Sequence, residues 1–160
     1  MNLFTDPTLL AARQQQRHSR FTADFPSITW DEVLRCLDFS VRRELLIRTT
    51  NKFGIVVHDV RASNSLRQVL ADYAQLDVSA RASAHLYISL SGDAETFGWH
   101  QDTMDVVYWQ AIGLTDFSVD DGGVIKYTMQ PGDAIYVPRG MRHTTKPLGP
   151  RCGVSLGLEK

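Results

Sequence analysis

Only two cysteines occur in the chain, Cys36 and Cys152, and neither has a partner at C-x-x-C spacing. A disulfide framework and a thiolate zinc knuckle are therefore unsupported as organising features. Cys152 opens the apolar run Cys152 to Leu158 and reads as a buried core thiol rather than a nucleophile. No apolar stretch approaches the roughly 20 residues that a membrane span needs. The start, Met1-Asn2-Leu3-Phe4-Thr5-Asp6-Pro7, lacks the basic residues and long apolar run of a secretion signal, so cytoplasm is the expected compartment. An excess of one charge is missing too: 17 Lys and Arg against 18 Asp and Glu leave a formal net charge of −1. Such a chain has no global field to attract phosphate backbones, and neither nucleic acid nor a membrane is an implied partner. The short basic clusters (Arg13, Arg17, His18 and Arg20; Arg42, Arg43 and Arg48) read as solvated helix faces.

What is present is an ordinary globular composition, 43% apolar and 22% charged over 160 residues, enough for one hydrophobic core. One domain over residues 1–160 is expected, with 1–82 as helical and strand support and 83–160 as the barrel core. Asp6-Pro7 opens a predicted helix that runs through Gln14-Gln15-Gln16, with Pro at the first helical position. Thr29-Trp30-Asp31-Glu32 reads as a capping box ahead of Val33, Leu34 and Leu37 at helical spacing. A third helix is predicted after Ser63 or Asn64, burying Leu66, Val69, Leu70 and Tyr73. Between them, Gly54 to Val60 has the β-branched content of a strand.

From Ser83 onward the pattern shortens to period two. Predicted strands are His85–Leu90, Asp105–Ile112, Thr115–Val119, Val124–Met129, Ala134–Val137 and Cys152–Leu158, separated by Gly-, Pro- and Asp-rich turns. Many short strands at this spacing point to a sandwich or barrel.

Two local patterns carry chemistry. In Gly98-Trp99-His100-Gln101-Asp102, residues two apart share one face of an extended strand, so His100 and Asp102 can reach one ion together. An isolated H-x-D is a weak pattern, and a hydrogen-bonded pair without metal is its plain alternative. The second pattern is more specific: Gly132 to His143 spells G-x5-P-x-G-x2-H. Gly132 permits a tight turn into a short apolar strand, Pro138 stops that strand, and Gly140 lets the backbone reverse so that His143 begins the next strand facing inward.

This second pattern resembles the second sequence motif of the cupin superfamily, and His100-x-Asp102 leading to Gly113 resembles the first. The resemblance covers residues 83 to 158 and implies a mainly β fold with N-terminal helices, the cupin double-stranded β-helix or jelly-roll barrel. It departs from the general pattern where a second His and a later Glu are usual, at Asp102 and Val106. The implied ligands are His100, Asp102 and His143, the two-His-one-carboxylate set of non-haem Fe(II) oxygenases. The run His100 to Gly113 looks like the JmjC-type and ribosomal-oxygenase branch, whose members use 2-oxoglutarate as co-substrate. Fe(II) and 2-oxoglutarate are therefore the implied cofactor and co-substrate.

A 2-oxo diacid brings a distal carboxylate that needs a fixed cation or several donors once buried. In the JmjC-like branch a Lys or Arg after H-x-D supplies it. Here that position falls near Thr115, and residues 103 to 125 contain no Lys or Arg. If Thr144 to Pro150 forms a hairpin centred on Pro147, Arg151 lies opposite His143 and points into the barrel. Lys126 is the second candidate cation, and Tyr87 and Thr115 can add hydroxyl donors. His18, His58 and His85 lie outside the motifs and read as surface or satisfied histidines, while Trp99, Tyr108 and Trp109 read as packing residues.

The implied function is an Fe(II)- and 2-oxoglutarate-dependent oxygenase of hydroxylase type acting on a small-molecule or peptide substrate. Two alternatives stand beside it: a non-catalytic metal- or ligand-binding cupin module, and an O2-independent metal-assisted isomerase or lyase. A homodimer stays open, since cupins often pair.

Overall fold

The computed structural model describes residues 3–159. Three helices and ten strands follow one another as α1 (Pro7–Gln15), β1 (Ser19–Thr22), α2 (Trp30–Arg42), β2 (Ile47–Thr50), β3 (Gly54–Val57), α3 (Asn64–Ala74), β4 (Arg81–Ser89), β5 (Asp105–Ile112), β6 (Thr115–Asp120), β7 (Val124–Met129), β8 (Asp133–Val137), β9 (His143–Pro147) and β10 (Arg151–Glu159).

The helices start where their capping residues stand. The Asp6 carboxylate accepts the Thr8 and Leu9 N–H groups at α1, and the Thr29–Glu32 box is closed in both directions at α2. Ser63 caps α3 by accepting the Leu66 N–H, and its hydroxyl donates to Glu32, which ties the starts of α2 and α3 together. One expected core residue differs: Leu34 faces solvent, and α2 buries Val33, Cys36 and Ser40 instead. Among the described residues no helix is long and apolar enough to cross a membrane.

The strands form two antiparallel sheets, one in the order β1-β8-β5-β10-β4-β3-β2 and the other β7-β6-β9. Side-chain alternation along the large sheet separates two environments. On β10, Cys152, Val154, Leu156 and Leu158 pack with the helices, in a cluster that includes Leu9, Val33, Leu66 and Tyr73. On β4 and β5, Ala84, Leu86, Ile88, Val107 and Trp109 join them. The intervening residues face the space between the sheets, where Tyr108 packs with Phe117, Val119, Met129, Ile135 and Val137.

Three features of the strand order depart from the sequence reading. Strands β1 and β2 were not expected; both are four-residue edge strands with mixed polarity, so neither carries a long alternating signal. Expected strand 54–60 stops at Val57, whereas β4 begins at Arg81 rather than His85. Most consequential is β9, which does not pair with β10. It pairs with β6, from Thr115↔Pro147 to Val119↔His143, while β10 pairs with β4 and β5. The chain crosses from the small sheet to the large one between Pro147 and Arg151, so His143 and Arg151 are not cross-strand partners.

One ion pair braces the turn that leads to β9. The Asp105 carboxylate, at the start of β5, accepts the Arg139 backbone N–H at 3.1 Å and its Nε at 3.3 Å. Burial pushes the Asp105 carboxyl up, but the Arg139 hydrogen bonds and charge outweigh it and hold it below the ordinary carboxylate range. A carboxyl with a depressed folded-state pKa contributes stability above about pH 4, its unfolded value, and loses it as pH falls further. Asp105→Asn is therefore expected to cost about 1–2 kcal/mol at neutral pH and to flatten the acid limb of stability below about pH 4. Urea unfolding across pH checks both. An acid limb identical to wild type would remove Asp105 from the brace.

Candidate metal centre

His100 and His143 meet as an isolated antiparallel bridge at the edge of the small sheet. Each N–H donates to the other's carbonyl, at 3.0 and 2.9 Å. Directly opposed residues project to one face, and the two imidazoles accordingly lie with centroids 4.3 Å apart. Two residues on, the Asp102 carbonyl accepts the Gly140 N–H at 2.9 Å. Gly140 has φ +77°, which other residues adopt with strain, and Gln101 Nε2 donates to its carbonyl at 2.6 Å. The two sequence motifs are thus laced together by backbone bonds. This brings His143 Nε2 to 3.4 Å from Asp102 Oδ2 and places one ligand atom from each of His100, Asp102 and His143 within 4.8 Å of the others.

Both imidazoles are oriented for coordination. His100 Nδ1 lies 2.8 Å from the Gly98 carbonyl and His143 Nδ1 lies 3.0 Å from the Met141 carbonyl. A carbonyl can only accept, so each Nδ1 carries the proton and each Nε2 keeps its lone pair free. Phe117 stacks on His143 at 5.6 Å and Phe97 meets His100 edge-on at 6.1 Å, which limits rotation of both rings. Two neutral imidazole nitrogens and one carboxylate are a donor set that suits a first-row divalent ion and leaves coordination positions the protein does not fill. The residues present fit such an ion.

Behind the three residues lies a cavity lined by Tyr87, Ser89, Tyr108, Phe117, Thr145 and Arg151 among others. Arg151 is 2% exposed and has no carboxylate partner among the described residues. Its Nε donates to Ser89 Oγ at 3.1 Å and its Nη1 to the Tyr108 hydroxyl at 3.0 Å, which in turn donates to Gln110 at 2.7 Å. A buried guanidinium held only by neutral acceptors is an unbalanced charge, and an anion is the group that would balance it. Tyr87 lines the same cavity and feels the charges of both Asp102 and Arg151. Burial first, then the charge of Asp102, pushes its phenol up to about 12, so it stays a hydrogen-bond donor.

The other residues named from sequence fall elsewhere. Thr115 is fully buried with its hydroxyl 3.4 Å from that of Tyr108, behind the cavity wall rather than on it. Lys126 is not brought to the cavity: its Nζ pairs with Asp116 at 2.6 Å on the outer face of the small sheet, and its side chain is 60% exposed. Tyr108, Ser89 and Gln110 were missed as site residues. Their signal was present as polar groups at alternate positions of otherwise apolar strands, on the face that turned out to line the cavity.

Tyr108 depends on a glycine. A Cβ at Gly153, on the neighbouring strand, would overlap the Tyr108 hydroxyl and ring. Gly153→Ala is expected to cost about 1–3 kcal/mol in urea unfolding through overpacking. An unchanged midpoint would mean that the ring has room to move.

No protein-family model matches the chain, and no curated protein matches it in sequence. By fold it is similar to YcfD, a ribosomal oxygenase from Escherichia coli, in complex with cobalt and succinic acid: TM-score 0.82 and 18% identity, over 99% of this chain and 52% of that one. The same enzyme in complex with cobalt and 2-oxoglutarate gives TM-score 0.82 and 17% identity, over 99% and 53%. A further structure of E. coli YcfD gives TM-score 0.80 and 16% identity, over 100% and 55%. The chain spans about half the length of these structures. Identity at this level carries the fold alone, a mainly β pair of antiparallel sheets with N-terminal helices.

Proposed function

We propose that the protein is an Fe(II)- and 2-oxoglutarate-dependent oxygenase, with His100, Asp102 and His143 as metal ligands and Arg151 as the anchor of the co-substrate. The observation that carries this reading is the buried Arg151, unpaired by any described carboxylate, in the cavity that the triad opens onto. Similarity in fold to an oxygenase crystallised with cobalt and 2-oxoglutarate supports it. The metal, when bound, supplies chelation of the 2-oxo acid and activation of O2.

The chain's own residues have the remaining tasks. Arg151 binds the distal carboxylate, with Ser89 and Tyr108 fixing the guanidinium plane. The Tyr108 hydroxyl accepts from Arg151 and donates to Gln110, which fixes it beside the guanidinium. Tyr87 offers a phenolic donor in the same cavity. Phe117 and Val106 wall the cavity and keep bulk water from the reactive centre. Arg151 thereby does from β10 what the JmjC-like branch does from a position that falls here near Thr115.

Anaerobic addition of Fe(II) and 2-oxoglutarate to the apo protein should produce a weak visible charge-transfer band, and admission of O2 should yield succinate. Absence of both overturns the oxygenase reading. Metal binding without oxo-acid turnover would point to a binding module, and substrate conversion without O2 uptake to an isomerase or lyase. The primary substrate is taken to be a small molecule or peptide.

A further inference from the structure

His100 and Asp102 face two spaces. Besides the inner cavity holding Arg151, they border an outer groove that shares them and Tyr87 with that cavity and adds Arg48, His58 and His85. Three strands bring these last residues together. Arg48 on β2 pairs with Val56 on β3, which pairs with Tyr87 on β4, placing all three on one rung. Two positions further along, just past the last paired residue of β3, the rings of His58 and His85 meet edge to face at 4.4 Å.

Three observations concern what this groove lacks. Arg48 is exposed, with no ion pair or hydrogen bond among the described residues, yet its charge acts on His58, His85 and Tyr87. His58 Nε2 is buried without a hydrogen-bond partner. Among the described residues the only carboxylate lining the groove is Asp102, the proposed metal ligand. Burial, and then neighbouring positive charge, pushes both histidines down, His85 to about 4, so they are neutral at physiological pH. An unpaired guanidinium beside two neutral imidazoles offers one positive charge and ring N–H donors. That set matches a monoanion with two acceptor oxygens better than a dianion, which it would leave half neutralised.

We propose that the groove formed by Arg48, His58 and His85 is the subsite that binds a carboxylate of the primary substrate, making this an oxygenase of small carboxylic acids. The inference rests on the proposed oxygenase function and adds the substrate class to it. The carboxylate held on Arg48 places the rest of the molecule toward the His100–Asp102 side of the groove, on the opposite side of the triad from Arg151. The two acids, co-substrate and substrate, thus have separate cations.

The test uses Zn(II)-loaded protein saturated with 2-oxoglutarate, with NMR of the five histidine rings as readout. The probes are acetate, butyrate and benzoate, each compared with its neutral amide. The carboxylates should shift the His58 and His85 ring signals saturably while the amides do not. Arg48→Gln should weaken carboxylate binding by roughly ten-fold or more, as loss of a charge-assisted hydrogen bond implies, whereas the exposed Arg17→Gln should not. Equal response to acid and amide, no response up to tens of millimolar, or equal affinity in Arg48→Gln each overturns the subsite. Binding of 2-oxoglutarate itself is measured in the same sample by calorimetry. If it fails while the carboxylates still bind through Arg48, the oxygenase reading falls and the acid subsite stands; if it succeeds while the carboxylates fail, the reverse holds.

Discussion

Arg151→Met should weaken 2-oxoglutarate binding to the metal-loaded protein by roughly a hundred-fold or more, since removing one partner of a buried charge pair typically costs about 2–5 kcal/mol. The apo protein should at the same time unfold at an equal or higher temperature. The two effects have one cause. Arg151 is 2% exposed and contacts Ser89 and Tyr108, both neutral, so in the absence of an anion it is a desolvated charge without a counter-charge. Met keeps much of the aliphatic stem and removes that burden. A residue kept for structure would behave in the opposite way, losing stability and leaving affinity intact. Arg151→Lys discriminates further: it retains the charge but cannot contact Ser89 and Tyr108 with a planar fork, so affinity should fall between wild type and Arg151→Met. Calorimetric titration of the Mn(II)-loaded variants, with thermal unfolding of the apo forms, separates the two accounts.

Metal binding should raise the melting temperature of the wild type by about 5–10 °C at a free concentration 100-fold above Kd, because that excess stabilises the folded state by about 2.7 kcal/mol. Asp102→Ala and His143→Gln should abolish most of the shift. Each removes one of only three protein donors, and His143 Nε2 and Asp102 Oδ2 already stand 3.4 Å apart, so no other described carboxylate is placed to substitute. Gly98 and Met141 carbonyls, which hold the two Nδ1 protons, make the site specific for Nε2 ligation. Scanning calorimetry with Mn(II), repeated with excess chelator, gives the shift directly. A shift of equal size in Asp102→Ala would place the ion elsewhere.

How much of this was legible in the sequence depended on range. The H-x-D and G-x5-P-x-G-x2-H patterns are local: the turn, the strand stop and the inward His follow from Gly132, Pro138 and Gly140 alone. Their convergence is a long-range fact, made by the His100–His143 bridge and the Gly140–Asp102 bond. Arg151 shows the difference well. A hairpin with His143 was the stated ground for its inward orientation, and no such hairpin exists, because β9 pairs with β6. The side chain faces the cavity for another reason. On β10 the apolar residues Cys152, Val154, Leu156 and Leu158 are drawn to the helices, which leaves Arg151, Gly153 and Ser155 on the other side. Alternation within one strand was sufficient; pairing between strands was not needed.

His58 and His85 were illegible for the complementary reason. Neither lies in a motif, and nothing in a single sequence says that β3 and β4 align Gly54 with Ser89. Only that register sets the two rings together beside Arg48. Edge strands β1 and β2 escaped notice because four residues with scattered polarity cannot display a period. The helices, by contrast, were announced by their caps, and Asp6, Thr29 and Ser63 all serve as expected.

The most direct test is an anomalous-difference map from crystals grown with Mn(II) and 2-oxoglutarate. One peak is expected, at roughly 2.0–2.3 Å from His100 Nε2, Asp102 and His143 Nε2, distances usual for nitrogen and carboxylate ligation of a divalent ion, with the distal carboxylate of the acid on Arg151. No peak at the triad, a metal bound by only one of the histidines, or an acid lying away from Arg151 would contradict the account.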